Sequence, residues 1–389
     1  MFERNRGMMA KSRWRRLRGI VLVNFGVLIG LYLLAEIALR IVSSNSNPLF
    51  RLTAKTGVGI RDPVYHHTLR PKFDGFDKWG NKDYPVVTNS LGFRDASTRD
   101  VPLVADRKRI VFIGDSFTEG IGVPYQETFV GKFAGAFPDL DVLNAAAESY
   151  SPSVYYEKLN YFLDRGLRFD EAVVYIDISD IQDETMYYYD EHGVLQLAGE
   201  YGAQKLAGNI WSGGKKKAWW ESAFYVADFL HQVWRYETLA RLTERGSLQD
   251  FMQSGYAYSR DFKRASWTYN TDASDYGSMG IEGGIQKAKQ QMNRLYDALS
   301  SHGIALSVGV YPWPQQLLYD GENSRAAQIW RDWCAGKCKQ FFDHFPAFFH
   351  YKENDPDFLK NLFIWGDVHL NVRGNQILAD DLIAKYRQQ

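Results

Sequence analysis

The sequence predicts an α/β domain built on a mainly parallel sheet with helices on both faces, preceded by one membrane-spanning helix. Three observations predict it. From Arg107 onward, short strand-like runs alternate with helical runs of roughly 12–20 residues, the pattern of a sheet wound by crossover helices. Near the N-terminus an apolar run of bilayer length follows a basic cluster. The 389 residues are 45% apolar and 15% aromatic, enough for large cores, which excludes a disordered or fibrous chain. Lys+Arg and Asp+Glu are 46 each, so there is no basic excess of the kind nucleic-acid binding requires.

In chain order, the first segment is a basic tail, residues 1–18, with Arg4, Arg6, Lys11, Arg13, Arg15, Arg16 and Arg18 against Glu3. A transmembrane anchor is expected over 19–43. Ile20 to Val42 is interrupted only by Asn24, Glu36 and Arg40, and at 1.5 Å per residue it spans the roughly 30 Å of a bilayer. Glu36 and Arg40 are four apart near one end, placed to pair or to reach the headgroups. The preceding cations put the N-terminus in the cytoplasm and the remainder outside, in a bacterial periplasm. A cleavable signal peptide is the alternative, but the apolar run is long for one and no small-x-small cleavage site follows.

Residues 44–105 read as a linker and N-terminal collar, rich in Gly, Pro, Asp and Asn with short apolar runs such as Pro85-Val86-Val87-Thr88. The main domain is expected over 106–389. Its strands are Arg109–Ile113, Asp141–Asn144, Glu171–Ile178 and Ile304–Val310; its helices are Tyr125–Phe137, Val154–Leu167, Ile281–Ser301 and Gly374–Tyr386. Residues 183–268 interrupt the alternation as an aromatic-rich insertion, with a helix near Ser222 to Arg245. It is either an elaborated core or a wall over the site. Cys334 and Cys338, four apart, suit a local disulfide in an oxidising compartment, with free thiols as the alternative. Two thiols alone cannot close a tetrahedral zinc site.

Chemistry concentrates in two blocks. Gly114-Asp115-Ser116-Phe117-Thr118-Glu119-Gly120 follows the first strand and precedes a helix, placing Ser116 at a carboxyl strand end, where open α/β sheets bind ligands. The same string is also an ordinary helix N-cap. Trp365-Gly366-Asp367-Val368-His369-Leu370-Asn371 precedes the last helix and offers a carboxylate and an imidazole from one loop. A serine hydroxyl needs a base, and the base needs an orienting acceptor; His369 and Asp367 can supply both. Asn371 reads as a helix N-cap.

These two blocks together resemble the SGNH (GDSL-type) hydrolase family. The likeness covers roughly 107–180 and 281–389, and Asn89-Ser90-Leu91-Gly92-Phe93-Arg94-Asp95 is similar to the lead-in of membrane-anchored bacterial members linked to surface polysaccharide modification. The resemblance implies a flavodoxin-like three-layer α/β/α sandwich and a serine esterase or acyl-transfer mechanism, with no cofactor and no metal. Ser116 would be the nucleophile, His369 the base and Asp367 its orienter. Two family positions differ. A glycine whose amide binds the oxyanion is replaced by Ser149, and an asparagine of the same hole by Ser179. The hole would then consist of Ser116, Ser149 and Ser179, and losing one such donor costs about 10²–10³ in rate.

Trp313 and Gln315, in Tyr311-Pro312-Trp313-Pro314-Gln315-Gln316 after the fourth strand, are expected on the site's rim, where they suit either a carbohydrate or a rigid structural loop. Asp177, Asp180, Asp183 and Glu184 read as solvated loop charge, with a metal site as the alternative. His66 and His67 are expected to point to opposite faces of a strand. The function expected is hydrolysis of O-acyl esters on a surface polysaccharide or glycolipid. Transfer to a sugar hydroxyl is the first alternative, and a non-catalytic carbohydrate-binding or assembly subunit the second. Polysaccharide export or acylation machinery would be the partner.

Overall fold

The computed structural model describes residues 18–20, 22–37, 58–79, 82–198, 257–270, 275–364 and 366–388. Helix α1 (Arg18–Ile37) belongs to one compact unit and the described residues from Val58 onward to another. Taken by itself, α1 is 20 residues long and apolar enough to cross a membrane. Its one side-chain amide among the described residues is satisfied internally, Asn24 donating to the Ile20 carbonyl at 2.9 Å. Arg40 and the expected end of the anchor lie outside the described residues, as does the helix expected near 222–245.

The second unit opens with two antiparallel hairpins, β1 (Gly59–Asp62) with β2 (His66–Leu69), and β3 (Asp74–Trp79) with β4 (Lys82–Val87). The central sheet then forms from β5 (Arg109–Ile113), β6 (Asp141–Asn144) and β7 (Glu171–Tyr175). After β7 come helix α5 (Asp180–Met186) and the small hairpin β8 (Tyr187–Tyr189) with β9 (Leu195–Leu197). The sheet resumes with β10 (Ala305–Val310) and ends with β11 (Gln340–Asp343). Spatial order is β11-β10-β7-β5-β6, with every pairing parallel. Counted in chain order this is 2-1-3-4-5 from the β6 edge, the flavodoxin-like winding, with its switch point beside β5.

The crossovers are α2 (Ser116–Glu119) with α3 (Phe129–Ala136), then α4 (Pro152–Asp164). Short α6 (Lys263–Ser266) precedes the long α7 (Gly280–Ser301); α8 (Pro314–Tyr319) and α9 (Arg325–Cys334) follow β10. After β11 come α10 (Phe345–Asn354), α11 (Phe358–Leu362) and α12 (Val372–Tyr386). Helices α4, α5 and α7 pack together, and α3 packs with α12, giving the two helical layers. Between them β5 and β7 are buried at every residue, which is why both read as apolar runs after their first residues, Arg109 and Glu171.

Differences from the expected elements have local causes. The helix expected over Tyr125–Phe137 is broken at Thr128, whose hydroxyl accepts the Gly131 amide at 2.9 Å and so starts α3 afresh. The third strand stops at Tyr175 because the Asp177 carboxylate takes the Ser179 amide at 2.7 Å and turns the chain. Strand β11 was not expected: it is a short edge strand with one buried residue, too little pattern to read. Cys334 and Cys338 are bridged.

Candidate active site

Ser116 is the first residue of α2, directly beyond β5, so both readings of its motif hold at once: Asp115 is the N-cap, accepting the Phe117 amide at 3.0 Å, and the serine emerges at the strand's carboxyl end. Gly120 ends α2 with φ +82°. A Cβ there would strike Thr128 within 2.1 Å, so only glycine fits this turn.

The loop before α12 delivers the partner groups. Asn371 caps α12, its side chain accepting the Arg373 and Gly374 amides at 2.8 and 3.0 Å. The Ile364 amide donates to the His369 carbonyl at 2.8 Å and closes the loop. His369 Nε2 lies 2.8 Å from Ser116 Oγ, and its Nδ1 bonds Asp367 Oδ1, which also accepts the His369 backbone amide at 2.9 Å. With Nδ1 donating to the carboxylate, Nε2 is left as acceptor for the serine hydroxyl. Burial alone would push Asp367 up, but the charge and hydrogen bonds of His369, with the Trp79 indole N–H, hold its carboxyl below the ordinary value. The arrangement can therefore take a proton from Ser116 and stabilise the resulting imidazolium.

Ser149 and Ser179 occupy different settings. Ser149 is a non-glycine residue with φ +62°, the left-handed backbone that explains why a glycine suits this position. Its loop is clamped: Glu119 accepts the Glu148 amide at 2.7 Å, His67 Nε2 donates to the Glu148 carbonyl at 2.7 Å, and Tyr187 donates to the Ser149 carbonyl at 3.1 Å. Ser179 gives both its amide and its hydroxyl to Asp177.

Three expectations are corrected. Trp313 and Gln315 are not on the rim: both are buried. The Trp313 ring stacks against Phe117 and Phe262 and its indole N–H donates to Asp177, while Gln315 donates to the Ala257 carbonyl. The acidic cluster is not solvated. Glu184 accepts the Ser151 hydroxyl and the Ser153 amide at the start of α4, and Asp183 pairs with Arg264 at 2.6 Å. Asp177 and Asp180 join Asp115 with one carboxylate oxygen each inside 4.8 Å of one another. Burial first, and for Asp115 and Asp180 the neighbouring carboxylates next, pushes all three upward. His66 and His67 do not diverge, because His66 has φ +76°. Their Nδ1 atoms lie 2.8 Å apart.

Sequence reasoning missed the groups that reach the site from the collar. Trp79 of β3 donates to Asp367 Oδ2 at 2.9 Å, His67 of β2 holds the Ser149 loop, and Arg94 donates to the Glu119 carbonyl at 2.8 Å and to that of Gly120 at the end of α2. The Asn89 to Asp95 motif was the available signal for Arg94; none marked Trp79.

No family model matches the sequence, and no curated protein matches it. Among solved structures it is similar to a member of the lipolytic G-D-S-L family from Veillonella parvula, at 11% identity and TM-score 0.38, covering 72% of this chain and 100% of that one. It is also similar to a catalytic mutant of an acetylxylan esterase from Geobacillus stearothermophilus, at 11% identity and TM-score 0.37, covering 73% and 96%. A psychrotrophic esterase from Pseudoalteromonas aligns at 8% identity and TM-score 0.33, covering 72% and 100%. At this distance a functional reading rests on the site's own geometry.

Proposed function

We propose that the protein is a serine-dependent ester hydrolase working through an acyl-serine intermediate. The observation that carries the reading is Ser116 Oγ at 2.8 Å from His369 Nε2, with Asp367 on the other ring nitrogen. Ser116 Oγ attacks the acyl carbon while His369 takes its proton; the proton then passes to the leaving alcohol, and water activated by His369 releases the acid. The oxyanion falls to the amides of Ser116 and Ser149 and to the Ser179 hydroxyl, which must first turn from Asp177. The substrates are O-acyl esters of a surface polysaccharide or glycolipid. Helix α1 and the basic tail support a tether with the catalytic unit outside the cytoplasmic membrane, and such a tether suits a polymer exported nearby better than a diffusing nutrient.

The test is aryl-acetate turnover by the full-length protein in detergent, beside Ser116→Ala, with and without a deacetylated oligosaccharide. Turnover that falls at least about 10³-fold in Ser116→Ala supports the nucleophile. Equal turnover by the two proteins overturns it. Acceleration by a deacetylated sugar acceptor would replace hydrolysis with acyl transfer, since the first half-reaction is common to both.

A further inference from the structure

We propose that Trp79 is a positioning residue of this site, fixing the carboxylate that orients His369; the proposal rests on the serine reading above. Asp367 bonds His369 through Oδ1 alone, to the ring and to the backbone amide. The torsion that turns a carboxylate is broad, so contacts on one oxygen leave its plane free to rotate. Trp79 Nε1 occupies the other oxygen at 2.9 Å and removes that freedom. The indole also meets the imidazole edge to face, centroids 4.8 Å apart and planes at 81°, so the ring of His369 packs directly against it.

The tryptophan is itself held. It ends β3, paired in register with Lys82 of β4, and lies over Gly122. Gly122 has φ +82°, and a Cβ there would come within 2.5 Å of Ile364 Cδ1 and 3.7 Å of Trp79 Cδ1. Ile364 belongs to the same loop as Asp367 and His369, its amide bonded to the His369 carbonyl. A hairpin 288 residues away in sequence thus braces the acid from the side opposite the histidine. An N–H aimed at a carboxylate favours its ionised form, so removing this donor makes Asp367 the stronger proton acceptor; the Asp367–His369 pair then holds the imidazolium proton to higher pH, and the acid limb of reactivity moves up with it.

The experiment measures, across pH, the rate at which a fluorophosphonate labels Ser116 in the full-length protein in detergent. In this reaction the Oγ–P bond forms, P–F breaks, fluoride leaves and the serine proton passes to His369. Wild type, Ser116→Ala, Trp79→Phe and Trp79→His are compared, with thermal melts of each. Trp79→Phe keeps a ring and loses the N–H; labelling about tenfold slower, with its acid limb moved up and partial rescue by Trp79→His, is the expected result. Labelling of Trp79→Phe at the wild-type rate and pH profile overturns the role of Trp79 and leaves the serine mechanism standing. Should Trp79→Phe fail to fold, Trp79→Leu takes its place as the variant without a donor: slower labelling that Trp79→His partly restores supports the role, and labelling at the wild-type rate and pH profile overturns it. Wild type that does not label overturns the serine reading and this proposal with it.

Discussion

Glu119 and Lys158 are buried ionisable side chains that the chemistry does not use, and they set how stability responds to pH. Burial pushes Glu119 up to about 7, against the attraction of Arg94. A carboxyl with its folded pKa raised stabilises the fold at low pH and loses that contribution as pH rises from the ordinary glutamate value towards 7. Lys158 is the mirror case. It lies 5.4, 5.0 and 4.9 Å from the ring centres of Tyr65, Phe93 and Tyr150, bonds Thr68 and the Tyr150 hydroxyl, and is pushed down to about 7 by burial. An amine with its folded pKa lowered contributes stability at high pH that is lost as pH falls from the ordinary lysine value towards 7. The contribution of these two groups to the melting temperature should therefore pass through a minimum near neutrality. Glu119→Gln should flatten the acid side and Lys158→Met the alkaline side. A melting profile unchanged by either substitution would refute this assignment.

At the scale of an element, the loop from β6 to α4 carries a conformational cost at one residue. Ser149 sits in the left-handed region, which costs a side-chain-bearing residue about 1–2 kcal/mol, partly offset in a glycine by its greater unfolded-state entropy. Ser149→Gly should thus leave stability unchanged or raise it by up to about 1 kcal/mol, and should keep turnover because the amide is retained. Denaturant unfolding and aryl-acetate turnover check both halves. A marked loss of turnover with an intact fold would assign the Ser149 hydroxyl a role of its own. Helix α2 gives the complementary lesson: only four residues long, it is positioned by what lies at its ends, the Asp115 cap at the start and Arg94 at the finish.

For the whole molecule, Arg94 is where the collar and the sheet domain become one structure. Its backbone amide extends the edge of β6 by bonding the Asn144 carbonyl at 3.0 Å, and its fully buried guanidinium serves the carbonyls of Pro85, Glu119, Gly120 and Val123. Arg94→Met would bury those carbonyls without donors and should cost about 3 kcal/mol or more, lowering turnover with it. Arg94→Lys should recover only part, since an ammonium cannot fork to several carbonyls. Urea unfolding of the three proteins decides this, and an unperturbed Arg94→Met midpoint would contradict it.

The sequence by itself determined what is local. Short apolar runs behind Arg109 and Glu171 specify the strands β5 and β7, helical spacing specifies α4, α7 and α12, and the apolar stretch Ile20 to Val42 foretells α1, because burial imprints its period on neighbouring residues. The two motif blocks likewise marked Ser116, Asp367 and His369 without any structure. Tertiary structure alone decided where they meet: 253 residues separate Ser116 from His369, and only the winding order brings both to one end of the sheet. It also decided that Trp313, Gln315 and the acidic cluster are interior, and that the collar reaches the site through Trp79, His67 and Arg94. These contacts leave no periodic trace, since each depends on which distant surface the chain folds against and not on its neighbours in sequence.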